Sequence, residues 1–139
     1  NKFCKKFFMC TPNVQISSNV GSNLITTANP NLNGTGAIVD ILTGGANGTL
    51  IQKIVIKSHV SNSQGMIRLF INDGTTYFLT QEIIVPATTP TAVVPAFGVE
   101  LSVLINLKSG YKLAASTNNS EAFSVIAYGV SHTNCACPS

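Results

Sequence analysis

At 139 residues, with 45% hydrophobic side chains, the chain is long enough for one domain with a sizeable core, and too short for much else. The net charge of +3 rests largely on Lys2, Lys5 and Lys6; the remaining Lys53, Lys57, Arg68, Lys108 and Lys112 are scattered, which argues against the clustered basic face that nucleic-acid binding needs. No apolar run reaches the roughly 18 residues of a membrane-spanning helix, so neither nucleic acid nor membrane is expected as a partner.

Residues 1–10 form a basic, aromatic arm. If helical, Phe3, Phe7 and Cys10 would share one face, but ten residues without a partner make a marginal helix in water. The apolar stretch 7–10 is too short for the core of a signal peptide, so no export signal is expected. Residues 11–36 are rich in Asn, Gly and Pro, which favour turns and block regular pairing. Short strands are expected around 14–16 and 23–26, with most of the segment running over a surface.

The strong strand signals follow. The first covers 37–42, and a glycine-rich turn occupies 44–48. In 50–58, strict alternation sets Leu50, Ile54 and Ile56 on one face and Ile51, Lys53, Val55 and Lys57 on the other. A strand at 66–71 places Ile67, Leu69 and Ile71 opposite Met66, Arg68 and Phe70. Asn72, Asp73 and Gly74 give the clearest hairpin signal, with Asp and Gly expected to take positive φ. The next strand spans 77–85. Pro86, Pro90 and Pro95 then exclude a central strand and predict an edge segment or a crossover between sheets. Alternation resumes through Val99, Leu101, Val103, Ile105 and Leu107, with Leu104 as the break in the pattern. A last pair, 111–117 and 123–130, flanks a turn at 118–120.

This gives an all-β chain, an antiparallel sandwich of about eight strands, jelly-roll or Ig-like, with an irregular N-terminal arm. By composition, residues 1–34 form the arm and Asn-rich leader, 35–131 the sandwich and 132–139 a cysteine-containing tail. Charged residues are 9% of the chain, against roughly 25% in ordinary globular domains. A surface this neutral suits permanent packing against neighbours.

The sites with chemical potential are few. Cys4 and Cys10 lie at one end, Cys135 and Cys137 at the other, with His132 nearby. Three readings stand open. The thiols are reduced; or they form disulfides within or between subunits, where linking the ends would be worth on the order of 4–5 kcal/mol in loop entropy; or they hold a metal, although neither spacing matches a standard zinc site. No cofactor is expected. Catalysis by a nucleophile needs Ser or Cys beside His and an acid, and the only histidines are His59 and His132. The acids Asp40, Asp73, Glu82, Glu100 and Glu121 are widely separated in sequence, so no enzyme is read. Asn33, Asn47 and Asn118 begin glycosylation-type triplets, which are frequent by chance in so Asn- and Thr-rich a chain.

Residues 48–57, 65–74, 82–90 and 110–127 carry a pattern of strands and turns that resembles small structural proteins of tailed bacteriophages, including the crAss-like phages. The resemblance implies a virion component, an auxiliary or decoration protein on the capsid surface, assembled in the bacterial cytoplasm. Its partners would be the major capsid protein or other virion proteins, with multiple copies per particle. On that reading the arm binds a neighbour, with Phe3, Phe7, Phe8 and Met9 as apolar anchors and Lys2, Lys5 and Lys6 around them. The alternative is a carbohydrate- or receptor-binding module of a fibre or tail, with Tyr77, Tyr111 or Tyr128 around a shallow site.

Overall fold

The computed structural model describes residues 18–132. It contains eight strands: β1 (Asn19–Ile25), β2 (Val39–Thr43), β3 (Thr49–Ser58), β4 (Gly65–Asn72), β5 (Tyr77–Val85), β6 (Gly98–Leu107), β7 (Lys112–Thr117) and β8 (Phe123–Ser131). Pairing is nested. The first strand pairs with the last, β2 with β7, β3 with β6 and β4 with β5, all antiparallel. The chain is thus one long hairpin rolled on itself, giving a first sheet of order β1-β8-β3-β6 and a second of order β2-β7-β4-β5. This order makes the sandwich a jelly-roll, not an Ig-like fold.

Alternation explains which side chains meet between the sheets. Ile54 and Ile56 of β3, Val125 and Ala127 of β8, and Leu107 of β6 face Ile67 and Leu69 of β4 and Leu113 and Ala115 of β7. Phe97 closes one end with its ring edge-on to Phe123, centroids 6.4 Å apart. One expectation is corrected here. Ile51 points inward with Ile54 and Ile56, and Leu50 does not. A bulge between Ile51 and Lys53 interrupts both ladders of β3 and shifts the side-chain parity by one. The 86–97 segment is the crossover from β5 in the second sheet to β6 in the first.

The leader does more than run over a surface. Val20 to Ile25 pair along β8, so its composition hides a genuine edge strand. Residues 26–38 then cross the outer face of the second sheet. They start where Ala28 bridges Thr117 and pass Tyr77, whose carbonyl lies against Gly34 at φ 84°. Asn29 fastens this cover. Its amide nitrogen donates to the carbonyls of Thr35 and Ala37, both at 3.0 Å, and its own backbone N–H donates to Thr117 at 2.8 Å. Beneath the cover Phe70, Ala114 and Ser116 are buried although they face away from the core. Arg68 is buried there too, held by the Glu82 carboxylate at 2.9 Å.

The hairpin signal at Asn72–Gly74 is met, with a different division of labour. Gly74 alone takes positive φ, at 106°; Asp73 does not. Its carboxylate instead accepts from the Thr75 and Thr76 amides at 3.0 and 2.8 Å, and those bonds hold its pKa below the ordinary carboxylate value.

Candidate interaction surface

The two outer faces of the sandwich are unlike. On the first sheet the ladder sets Val20, Tyr128, Lys53 and Ser102 in one row and Ser22, Ile126, Val55 and Glu100 in the next. Val20, Leu24 and Leu104 are exposed, Leu104 to 80%. Between β1 and β8 an open groove of about 240 Å³ is lined by Ser22, Asn23, Leu24, Ser124 and Ile126. The charged groups on this face are engaged within the sandwich. The Lys53 ammonium sits 4.7 Å over the Tyr128 ring and 3.4 Å from Glu100, while Lys57 donates to the Ala96 carbonyl at 2.7 Å. Among the described residues no segment crosses this face as 26–38 crosses the other.

The two ends also differ. The chain enters and leaves at one end, where the Ser131 N–H donates to Ser18 Oγ at 2.8 Å and the His132 N–H to the Gly48 carbonyl at 3.0 Å. The loops of the opposite end, 26–38, 59–64, 86–97 and 118–122, hold one formally charged residue, Glu121. That carboxylate is engaged by the Asn62 side chain at 3.0 Å and the Ser63 N–H at 2.9 Å. From this sparsely charged end project Val60, Val93 and Val94, with Val93 89% exposed. The projection is fixed. Thr91 Oγ1 accepts from the Val93 and Val94 amides, and Asn62 and Thr88 exchange backbone hydrogen bonds.

One juxtaposition was not legible in the sequence. His59 Nε2 hydrogen-bonds Ser124 Oγ, which brings a serine and a histidine together across 65 residues. The pair lacks the rest of a catalytic constellation. Among the described residues no carboxylate bonds His59, and Ser124 lies in a continuous ladder between Leu24 and Lys57, with no pair of free amides aimed at a common point. The acids are each engaged elsewhere. Asp40 accepts from the Tyr77 hydroxyl at 3.2 Å and lies 3.6 Å from Lys112; Glu82 holds Arg68 and Glu100 pairs with Lys53. Burial and the Asp40 charge push the Tyr77 hydroxyl pKa up. No group of three or more His, Cys, Asp or Glu side chains gathers for a metal among the described residues.

The three tyrosines do not surround one site. Tyr77 lies on the second sheet bonded to Asp40, Tyr111 packs on the core beside the β6–β7 loop, and Tyr128 is on the outer face of the first sheet. The arm residues Lys2, Phe3, Lys5, Lys6, Phe7, Phe8 and Met9, and the cysteines Cys4, Cys10, Cys135 and Cys137, lie outside the described residues.

No family model matches the sequence, and no curated protein does. Solved structures do match. A chain of the acid-stable capsid structure of Helicobacter pylori bacteriophage KHP30 aligns with a TM-score of 0.52 at 9% identity, over 84% of this chain and 90% of that one. Eiger TNF from S. frugiperda aligns at 0.50 and 10% identity, over 91% and 98%. A pentameric capsid protein isolated from metagenomic phage sequences aligns at 0.43 and 17%, over 86% and 67%. What the first two likenesses show is the fold. A phage capsid chain and a TNF share this sandwich almost end to end, so function has to be argued from the surface.

Proposed function

We propose that this chain is a virion structural protein of a tailed bacteriophage, an auxiliary protein that binds and stabilises the capsid shell. The observation that carries the reading is the sparsely charged loop end with its three projecting valines on the sandwich. Apolar tips that are held in place lose little entropy on docking, and the charges near them, Glu121 and the Lys57 ammonium on the Ala96 carbonyl, already have partners within the sandwich. Such an end fits a neutral protein surface. Two further supports favour the phage shell as that surface: the sequence resemblance to small phage structural proteins, and a fold shared over 84% of this chain with a chain of the KHP30 capsid.

A shell presents many identical sites. Each copy then needs only a modest interface, and the sum over the particle reinforces the lattice. The partners are the major capsid protein or other virion proteins, and the location is the outer surface of the particle. The test is cryo-electron microscopy of intact particles made with the normal chain and with Val93→Asp. Density for the sandwich on the shell, loop end inward, is expected with the first and missing with the second. Particles lacking the normal protein, or normal incorporation of the variant, would refute the reading.

A further inference from the structure

Asparagine is followed by glycine at two places in this chain, and threonine comes next at both: Asn33, Gly34, Thr35 and Asn47, Gly48, Thr49. In such a dipeptide the glycine amide nitrogen can attack the asparagine side-chain carbon, because no Cβ crowds the approach. The local sequence is the same at the two sites, so a difference in their chemistry is made by the fold. We propose that Asn33 is a self-modification site, where the side-chain amide is lost and the cover over the second sheet is thereby released, and that Asn47 is protected.

The reaction needs a free nucleophile and a polarised carbonyl. At Asn47 the nucleophile is tied. The Gly48 N–H donates to the Gly45 carbonyl at 2.9 Å, and the Gly48 carbonyl accepts the His132 N–H at 3.0 Å. Gly48 is buried, and the Thr49 hydroxyl beyond it is taken up by Asn19, Gly45 and Ser131.

At Asn33 both conditions are met. The residue is exposed and lies outside every strand. Among the described residues the Gly34 N–H donates to no backbone acceptor. Asn33 Oδ1 accepts twice from Thr35, from its N–H at 3.3 Å and from its hydroxyl at 2.6 Å. The hydroxyl proton is aimed there because another side of Thr35 Oγ1 already faces a donor, Asn31 Nδ2 at 3.0 Å. Oδ1 turns negative as the nitrogen attacks, and two donors already placed on it lower that barrier.

The step balances with water as the co-reactant. The Gly34 nitrogen bonds to Asn33 Cγ, the Cγ–Nδ2 bond breaks, and the proton from Gly34 leaves with Nδ2 as ammonia. Water then opens the cyclic imide. Opening at the side-chain carbonyl gives aspartate in an unaltered main chain. Opening at the main-chain carbonyl gives isoaspartate, whose chain runs through the former side chain and is longer by a carbon.

The consequence falls on the cover. Asn29 holds it through the Thr35 and Ala37 carbonyls, which lie beyond Asn33 in the chain. Aspartate keeps the register and the Thr35 donors. Isoaspartate puts an extra main-chain carbon between Asn29 and its acceptors, so the bonds no longer meet and Phe70 and Arg68 lose their shelter.

None of this depends on the virion reading. The test is ageing of the purified full chain at neutral pH, native and in urea, followed by peptide mapping in the mass spectrometer. In urea Asn33 and Asn47 should convert at like rates. In the native protein Asn33 should convert at least about tenfold faster than Asn47, where a buried hydrogen bond must break first. Thr35→Val, which lacks the hydroxyl donor, should slow Asn33 several-fold. Hydrogen exchange at the Asn29 amide should rise in the isoaspartyl fraction and stay at its starting value in Asn33→Ser aged alongside. Equal native rates at the two asparagines, or an Asn33 rate unmoved by Thr35→Val, would overturn the assignment of the site. Unchanged Asn29 exchange in isoaspartyl chains would overturn the release of the cover.

Discussion

Gly21→Ala tests whether the two sheets close against each other where β1 meets β2. Gly21 has no positive φ, so alanine is allowed by its backbone. Space is the obstacle. A Cβ at this position would lie 2.1 Å from the Ile41 carbonyl oxygen and 2.9 Å from the Leu42 Cα. Those are backbone atoms of a strand in the other sheet, and they cannot rotate away. Since Cβ contacts below 3.0 Å are essentially never seen, the strands must part by 0.9 Å, the gap between 3.0 and 2.1 Å. Overpacking of this kind costs about 1–3 kcal/mol. Loss of glycine's freedom in the unfolded chain returns about 0.4–1 kcal/mol. The net loss, about 1–2 kcal/mol, should lower Tm by about 3–7 °C. Thermal and urea unfolding followed by circular dichroism measure it, and hydrogen exchange should show the β1 amides opening first. Ser22→Ala, one residue on and facing solvent, should stay within about 0.5 kcal/mol of the parent. A Gly21→Ala protein as stable as the parent would mean that the strands do not meet as described.

Other substitutions probe the covered face. Ser116 Oγ is buried without a hydrogen-bond partner among the described residues, so Ser116→Ala should be neutral or stabilise by up to about 1 kcal/mol in urea unfolding; a clear loss would reveal a hidden partner. The Arg68 side chain is 9% exposed and its Glu82 partner 37%, so Glu82→Gln strands the more buried charge and should cost about 1–3 kcal/mol. Arg68→Met should cost less, because the orphaned carboxylate is hydrated; the reverse order in urea melts would defeat that reasoning. Asp73 tests the hairpin loop through pH. Its pKa is lowered in the folded state, so its carboxylate stabilises the loop above the unfolded value and that contribution fades as pH falls through the folded value. An NMR titration should place its midpoint below that of Asp73 in a short unfolded peptide, and an equal midpoint would remove the capping role.

Seven of the strands were legible because half-buried alternation and turn residues mark them locally. β1 was half hidden. Its apolar residues Val20 and Leu24 face outward beside Ser22, and its inner positions include Asn19, Gly21 and Asn23, which the sandwich uses for close approach and hydrogen bonding instead of apolar packing. The face assignments failed at Leu50 and Ile51 because a bulge is a property of two facing strands and leaves no mark in one. The break at Leu104 was visible, but its meaning was not. An apolar residue on the outside of a sheet looks like noise until the register shows its neighbours. The His59–Ser124 contact and the covered second face were beyond sequence reasoning for the same reason, since each joins residues far apart in the chain. Asn29 looked like one turn-former among many, yet it holds the cover in place.

The nested pairing fixes when the protein can exist at all. β8 occupies the slot between β1 and β3 in the first sheet, so the first strand of the sandwich has no lateral neighbour until the eighth has cleared the ribosome. While β2 to β7 are being made, β1 must wait as unpaired chain. Closure is then a single late event between distant partners, the slow kind of folding step. A premature stop anywhere before Phe123 removes the slot's occupant and leaves two orphaned edges, a species destined for proteolysis or aggregation and not for a smaller functional product.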